Sequence, residues 1–169
     1  MTKLLMFGSF ALVLCSANAA QPVDGITQIF RDELLDRMTG TWILTGSLQG
    51  RPANHSVEVR WILNHQFLEI REKDKTAAGY EALALLGRDN MSERYVVHWN
   101  DVFGGRFSET LGYGARSGDE ITLVFEYPDG PFRTTMRWLA DKKQWEWVMR
   151  TKNDKGQWED FGRMTLTRE

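Results

Sequence analysis

The chain has 169 residues and a formal net charge of −2, with 21 basic and 23 acidic side chains. A chain without a basic excess is not expected to bind nucleic acid. Its one cysteine, Cys15, lies in the N-terminal segment, so the rest of the chain has no disulfide and no cysteine-based metal site.

The first 19 residues have the pattern of a secretory signal peptide. Lys3 gives a positive start, "LLMFGSFALVLC" is a short apolar run, and Ala17-Asn18-Ala19 fits a cleavage site. The run is shorter than a usual membrane span, although an uncleaved anchor is the alternative. Cleavage before Ala20 would leave 150 of the 169 residues as one periplasmic or secreted domain, which is expected to have no membrane span.

Residues 20–39 are predicted to form one amphipathic helix. Asp24 suits its N-cap, and Gly40 follows its end. The apolar residues that recur at helical spacing are Ile26, Ile29, Phe30, Leu34 and Met38.

From residue 40 to residue 169 the hydrophobic pattern changes to period two, which is typical of β-strands. Turn signals such as "SLQGRPAN", "PDGP" and "NDKG" interrupt it at short intervals and leave about ten strand candidates without a second helix. The residues therefore predict an all-β antiparallel sandwich or barrel.

Opposite charges on facing strands predict the hairpin registers. In "RWILNHQFLE", Trp61 faces Leu68 on one side and Arg60 faces Glu69 on the other. Further predicted pairs are Leu123–Met136 and Glu126–Arg133 around "PDGP", Trp138–Trp145 and Arg137–Glu146 across "DKK", and Trp147–Gly162 and Glu146–Arg163 around "NDKG". The charged face is interpreted as a solvated ladder, with an anion-binding groove as the alternative.

The opposite face collects tryptophan and methionine. Its predicted members are Val59, Trp61, Leu68, Ile70, Ile121, Leu123, Phe125, Met136, Trp138, Trp145, Trp147, Met149, Met164 and Leu166. Each tryptophan buries a large area, so these side chains either fill the core or form the aromatic wall of a cavity.

The strand "RYVVHWND" raises the question of a histidine site. Its alternation places Trp99 and Asp101 inside and His98 outside. The other histidines, His55 near a strand start and His65 in a turn, are not at metal-ligand spacing, so neither a metal nor a cofactor is predicted.

Carboxylates on the inner face are candidate polar contacts. If "ARS" closes a three-residue loop, Leu111 faces Ile121 and Glu109 faces Leu123, inside the barrel. Glu109 then pairs with a partner such as Tyr113, marks a docking point for a ligand, or shows that the register is wrong. The candidate ligand-binding residues are Trp61, Trp99, Asp101, Glu109, Tyr113, Met136, Trp138, Trp147 and Met149.

Four motifs in order resemble the domain-of-unknown-function family 1579: "GTW", "RWILNHQFLE", "GYEALALLGRD" and "RYVVHWND". The resemblance runs from about Leu34 to Glu169. Asn64-His65 replaces the family's usual Gly-Gly turn, and Arg88 replaces its usual Tyr. The resemblance implies a lipocalin-like (calycin-type) barrel with the N-terminal helix across one end, and it implies no established reaction. Distantly similar haem barrels use a histidine on a late strand, and "EDFGRMTLTRE" has none.

The favoured function is therefore an exported barrel that binds a small apolar or aromatic molecule. One alternative is a structural or interaction module with a filled barrel. The other is an isomerase-like or cyclase-like enzyme that uses Glu109 and Asp101 as an acid–base pair. The sequence does not indicate the ligand or the oligomeric state.

Overall fold

Ten antiparallel β-strands form one closed barrel in the computed structural model, which describes residues 29–76 and 79–169. Each strand pairs with its neighbour in sequence, and β1 pairs with β10 to close the ring. The strands are β1 (Gly40–Leu48), β2 (Arg51–Ile62), β3 (Phe67–Asp74), β4 (Glu81–Asp89), β5 (Arg94–Asp101), β6 (Leu111–Ser117), β7 (Glu120–Tyr127), β8 (Gly130–Leu139), β9 (Gln144–Lys152) and β10 (Trp158–Arg168). The predicted all-β, ten-stranded up-and-down barrel is confirmed.

Short turns explain the up-and-down order. Between β1 and β2 only Gln49 and Gly50 separate the paired residues, and both have positive φ, 48° and 75°. Two-residue turns of this kind match the twist of the strands they join. Within the described residues, no helix is long and apolar enough to cross a membrane.

Two of the predicted registers are confirmed and two are displaced by two residues. Trp61 pairs with Leu68, and Trp138 pairs with Trp145, as predicted. In contrast, Leu123 pairs with Thr134 instead of Met136. Trp147 pairs with Met164 instead of Gly162. A displacement by two residues keeps every side chain on its predicted face, so the apolar inner face survives these errors.

The predicted register of β6 is wrong by an odd number of residues. The turn consists of Gly118 and Asp119 rather than "ARS", so Gly112 faces Phe125 and Tyr113 faces Val124. This change exchanges the two faces of the strand. Tyr113 consequently lies on the outer surface, where the guanidinium of Arg94 is 4.2 Å from its ring centre.

The predicted N-terminal amphipathic helix is wrong in the described part of the chain. Only one helical turn forms, α1 (Glu33–Asp36), because Asp32 accepts hydrogen bonds from the amides of Leu34 and Leu35 and begins the helix there. Asp24, the predicted N-cap, and the predicted signal peptide lie outside the described residues.

Residues 29–39 nevertheless lie across one end of the barrel, here called the closed end. Leu34, Leu35 and Met38 are fully buried. The indole of Trp61 donates to Asp36 at 2.8 Å, and that of Trp42 donates to the Met38 carbonyl at 2.7 Å. Residues 29–39 therefore cover one end of the barrel, which is the place expected for the N-terminal helix, although only four of these residues are helical.

Asp32 is the centre of the contacts at the closed end. Its carboxylate also accepts hydrogen bonds from Arg116, at 2.9 Å, and from the hydroxyl of Tyr95. Burial, together with the neighbouring Asp32 carboxylate, raises the pKa of Tyr95 to about 12. This network ties the N-terminal segment to β5 and β6.

The outer face carries the predicted charge ladder. Arg60 donates to Glu69 at 2.9 Å, and Arg163 donates to Glu146 at 2.7 Å. His98 is exposed, as the alternation predicted. Because most of these charges are exposed, each ion pair adds little to the stability of the fold. The ladder mainly favours the correct strand register over a shifted one.

Candidate functional site

The half of the barrel opposite the closed end, here called the mouth, has inward side chains that are partly exposed. In the closed half, inward side chains such as Trp145, Ile121 and Leu166 are fully buried. In the mouth half, inward apolar side chains pack against the core but remain partly exposed. These residues are Leu48, Ala53, Trp99, Tyr127, Phe132 and Met149. The inner wall of the mouth is therefore apolar, aromatic and accessible to solvent.

Five side chains, the polar–aromatic cluster, connect strands on opposite sides of the lumen. They are His55 on β2, Glu72 on β3, Tyr80 just before β4, Trp99 on β5 and Trp147 on β9. The rings of Trp99 and Trp147 contact edge to face, with centres 6.4 Å apart, although β5 and β9 are not neighbouring strands. The indole nitrogen of Trp99 donates to the Tyr80 oxygen at 3.3 Å. The Tyr80 ring in turn stacks on His55, with centres 5.6 Å apart.

His55 and Glu72 form a buried pair within this cluster. Nδ1 of His55 lies 2.5 Å from Oε1 of Glu72, and the two side chains are only 5% and 7% exposed. The hydrogen bond to Glu72 and the negative charges of Glu72 and Asp74 raise the pKa of His55 above its usual value, against the opposing effect of burial. A buried ion pair costs desolvation free energy, so its presence on the inner face calls for a reason beyond stability.

Tyr80 is a neutral phenol in this environment. Burial is the main cause that raises its pKa, and the negative charge of Glu72 adds to it. Since the oxygen accepts the Trp99 hydrogen bond, its own O–H remains a donor.

Two indole N–H groups in the core have no acceptor among the described residues: those of Trp145 and Trp147. Both side chains are buried, at 0% and 2% exposure. Trp145 lies in the closed half, packed against Trp138 at 5.5 Å between ring centres. Trp147 belongs to the polar–aromatic cluster. Buried indoles usually find a partner, so the Trp147 N–H is an unsatisfied donor inside the barrel.

A loop with exposed apolar side chains lies beside the mouth. Residues 102–110 connect β5 to β6, and Val102, Phe103 and Phe107 are 56%, 58% and 73% exposed. Asp101 holds this loop, because its carboxylate accepts hydrogen bonds from the Phe103 amide and from the Ser108 hydroxyl. The ring of Phe103 is 6.1 Å from that of Tyr80, so the loop contacts the cluster directly.

The structure brings together four of the nine candidate binding residues in the mouth half: Trp99, Asp101, Trp147 and Met149. Trp61 and Trp138 line the closed end instead, where Trp61 stacks on His65 with ring centres 4.0 Å apart. Met136 is core, 1% exposed.

The predicted positions of Glu109 and Tyr113 are wrong. Glu109 lies in the loop before β6, where its carboxylate accepts a hydrogen bond from the Leu111 amide at 3.2 Å. Tyr113 is on the outer face because the β6 register differs from the predicted one. The proposed acid–base pair of Glu109 and Asp101 is therefore occupied by loop contacts rather than directed together into the lumen.

His55, Glu72 and Tyr80 were not among the site residues predicted from the sequence. The signal was present: alternation from Val59 and Val57 puts His55 on the inner face, and alternation from Ile70 puts Glu72 there. Two polar residues on the inner face of adjacent strands predict a pair, since buried charges require partners.

Two open grooves lie on the surface away from the polar–aromatic cluster. An open groove of about 590 Å³ at the closed end is lined by Arg37, Trp138, Lys142, Lys143 and Arg168, among others. A second groove of about 500 Å³ lies on the outer face beside Tyr113. Among the described residues, no group of three or more His, Cys, Asp or Glu side chains is placed to hold a metal ion.

The fold and the mouth define a ten-stranded antiparallel barrel, consistent with a calycin-like fold, that has a polar–aromatic cluster inside. The model of one protein family, described as a protein of unknown function (DUF1579), matches residues 31–168. The chain belongs to this family, as the four sequence motifs indicated. Among curated proteins, none matches the chain.

Proposed function

We propose that this protein is an exported barrel that binds one small, largely apolar or aromatic molecule in its mouth half. One observation carries the proposal: inward apolar side chains of the mouth half, among them Trp99, Phe132 and Met149, pack against the core but remain partly exposed. An apolar wall that water still reaches is the arrangement that small-molecule sites share. The export part of the proposal rests on the signal-peptide pattern of residues 1–19.

The polar–aromatic cluster supports this proposal. Ligand sites in proteins combine an apolar wall with a few fixed polar groups that orient the ligand. The His55–Glu72 pair, held at 2.5 Å, and the Tyr80 hydroxyl supply such groups beside an aromatic surface. A module with a solidly filled barrel would gain nothing from a buried ion pair on its inner face, because apolar residues of similar volume stabilise a core as well or better.

Binding is tested by two variants on neighbouring positions of β2. Ala53 lies on the inner wall of the mouth, whereas Asn54 is exposed on the outer face. The purified protein is titrated with a panel of fatty acids, retinoids and aromatic compounds, and tryptophan fluorescence is measured, since Trp99 and Trp147 lie at the site. Ala53→Phe is expected to weaken the affinity for any ligand found by at least tenfold, and Asn54→Phe is expected to leave it unchanged.

Failure of every compound to bind contradicts the proposal, as does an equal effect of the two variants. Unchanged thermal unfolding of Ala53→Phe ensures that a lost affinity reports on the filled mouth and not on unfolding. The export part has its own measurement. N-terminal sequencing of the protein from a periplasmic or culture fraction is expected to begin at Ala20, and an intact Met1 would contradict it.

A further inference from the structure

Two aromatic side chains of the polar–aromatic cluster have hydrogen-bond donors that no described residue uses. The Trp147 N–H has no acceptor among the described residues. Tyr80 accepts one hydrogen bond through its oxygen and keeps its O–H. His55 uses Nδ1 for Glu72, and no described residue bonds to its Nε2. Glu72 retains one carboxylate oxygen, Oε2, as the unused acceptor. The N–H of Trp147 and the O–H of Tyr80 are thus two donors that a ligand with an acceptor atom would satisfy, whereas the role of His55 Nε2 depends on the tautomer.

The charge around these donors limits which acceptor is suitable. Among the described groups, the carboxylates of Glu72, Asp74 and Asp101 act on His55 or Tyr80 through their negative charge. His55 and Glu72 compensate each other as a pair, which leaves two carboxylates beside Tyr80 and His55. A ligand carboxylate or phosphate would be repelled there, because like charges at short range in a low-dielectric site disfavour each other.

An organic cation is the opposite case, since aromatic rings and carboxylates both attract it. However, each of these carboxylates already accepts a hydrogen bond from the protein, and Oε2 of Glu72 is the unused oxygen among the contacts given above. Asp101 accepts from Ser108 and the Phe103 amide, Asp74 accepts from Thr76, and Glu72 accepts from His55. A cation would also leave the Trp147 and Tyr80 donors without acceptors.

We propose that the mouth selects a neutral aromatic or apolar compound with a carbonyl oxygen, which accepts hydrogen bonds from donors of the polar–aromatic cluster. A ketone, quinone, ester or amide has the required acceptor without a charge. The apolar part of the compound contacts the partly exposed wall of Phe132, Tyr127 and Met149. This inference rests on the proposed binding function and specifies its ligand class.

Four probes that share one aromatic group test the ligand class. They are 2-acetylnaphthalene, its hydrocarbon isostere 2-isopropenylnaphthalene, the anion 2-naphthoate and the cation 2-naphthylmethylammonium. Dissociation constants are measured by calorimetry with the whole exported protein. The ketone is expected to bind about tenfold more tightly than the isostere, a difference typical of one or two hydrogen bonds with a buried donor. It is also expected to bind more tightly than both ions.

Variants identify the donors. Trp147→Phe and Tyr80→Phe each remove one N–H or O–H and keep an aromatic ring. Both are expected to reduce the ratio of ketone to isostere affinity at least threefold. This ratio cancels any general loss of packing, because both probes experience it equally. Trp145→Phe is the matched control, since Trp145 has the same unpartnered N–H on the same strand but lies in the closed half. It is expected to leave the ratio unchanged.

The outcomes separate the two proposals. If none of the four probes binds, the binding function itself is contradicted, and the ligand class with it. If the isostere binds as tightly as the ketone, or if either ion binds most tightly, the ligand class is wrong while the binding function stands. An equal reduction of the ratio by Trp145→Phe and Trp147→Phe would also overturn the assignment of donors.

Discussion

Asp32→Ala is expected to destabilise the protein by about 2–5 kcal/mol. The carboxylate caps α1 through the amides of Leu34 and Leu35, at 2.9 and 3.2 Å, which contributes about 1 kcal/mol. Its removal leaves the hydroxyl of Tyr95, a residue only 7% exposed, without an acceptor, at a cost of about 1–3 kcal/mol. The Arg116 side chain is 36% exposed and regains water, so its lost ion pair adds about 1 kcal/mol or less.

Urea denaturation measures this change through the shift in midpoint at constant slope. Asp119→Ala is the control, because it removes an ion pair with Arg37 at the same end of the barrel in which both side chains are about half exposed. That variant is expected to cost no more than about 1 kcal/mol. If Asp32→Ala costs as little as Asp119→Ala, then the contacts of Asp32 do not hold the N-terminal segment on the closed end.

Three further results are expected. Because the pKa of His55 is raised in the folded protein, its protonated ring contributes stability that is fully present below the pKa of unfolded histidine, about 6.5, and is lost as pH rises through the folded value. Glu72→Gln removes the hydrogen bond that is the largest cause of the raised His55 pKa. In urea denaturation, the wild type should therefore be more stable than this variant by an amount that shrinks from pH 6 to pH 9. A difference that grows with pH would contradict this prediction. Gly114→Ala should destabilise the protein by about 1–3 kcal/mol, because an added Cβ would lie 2.0 Å from a β7 carbonyl oxygen. Calorimetric melting measures this change. The control Gly105→Ala, whose Cβ would make only an ordinary contact at 3.9 Å, should melt close to the wild-type temperature. Arg137→Ala should cost less than about 1 kcal/mol in chemical denaturation, since this side chain is 52% exposed, and a larger loss would show that the charge ladder stabilises the fold substantially.

The sequence predicted the faces of most strands better than their partners. A displacement of two residues between β7 and β8 keeps inner positions opposite inner positions, and Thr134 lies opposite an apolar residue in either register, so the pattern cannot distinguish the two. Between β9 and β10, an irregularity between Asp160 and Gly162 changes the register within the hairpin, and no side-chain pattern marks it.

The error in β6 had a larger consequence. "ARSGD" offers two turn positions, and the choice of "ARS" over Gly118-Asp119 moved Tyr113 from the outer to the inner face. Gly118 was the better sequence signal, because glycine readily adopts the positive φ that the first position of a two-residue turn requires, and its φ is 58° in the structure. The inward faces of Trp99, Asp101, Trp147 and Met149 were therefore predicted correctly, because the alternation of β5 and β9 is unambiguous. The face of Tyr113 was predicted incorrectly, because a single turn decided it.

The two histidines, His98 and His55, show why a local sequence motif can point to the wrong residue. His98 attracted attention because it lies beside a tryptophan and an acid in sequence, yet it is exposed. His55 contacts Glu72, which is 17 residues away along the chain. Its importance arises only when two strands are aligned, so a search by local motif cannot find it.

Among the ten hydrogen-bonded strand pairs of the described residues, nine join sequence neighbours and the tenth joins β1 to β10. Closing the ring therefore requires the two ends of the barrel sequence to meet, which carries the largest loop-closure entropy of any strand pair. Removing the last strand would uncover two unpaired edges at once, on β1 and on β9, and both would be open to pairing with other chains. Truncation at the C-terminus is thus expected to cause aggregation rather than a gradual loss of stability.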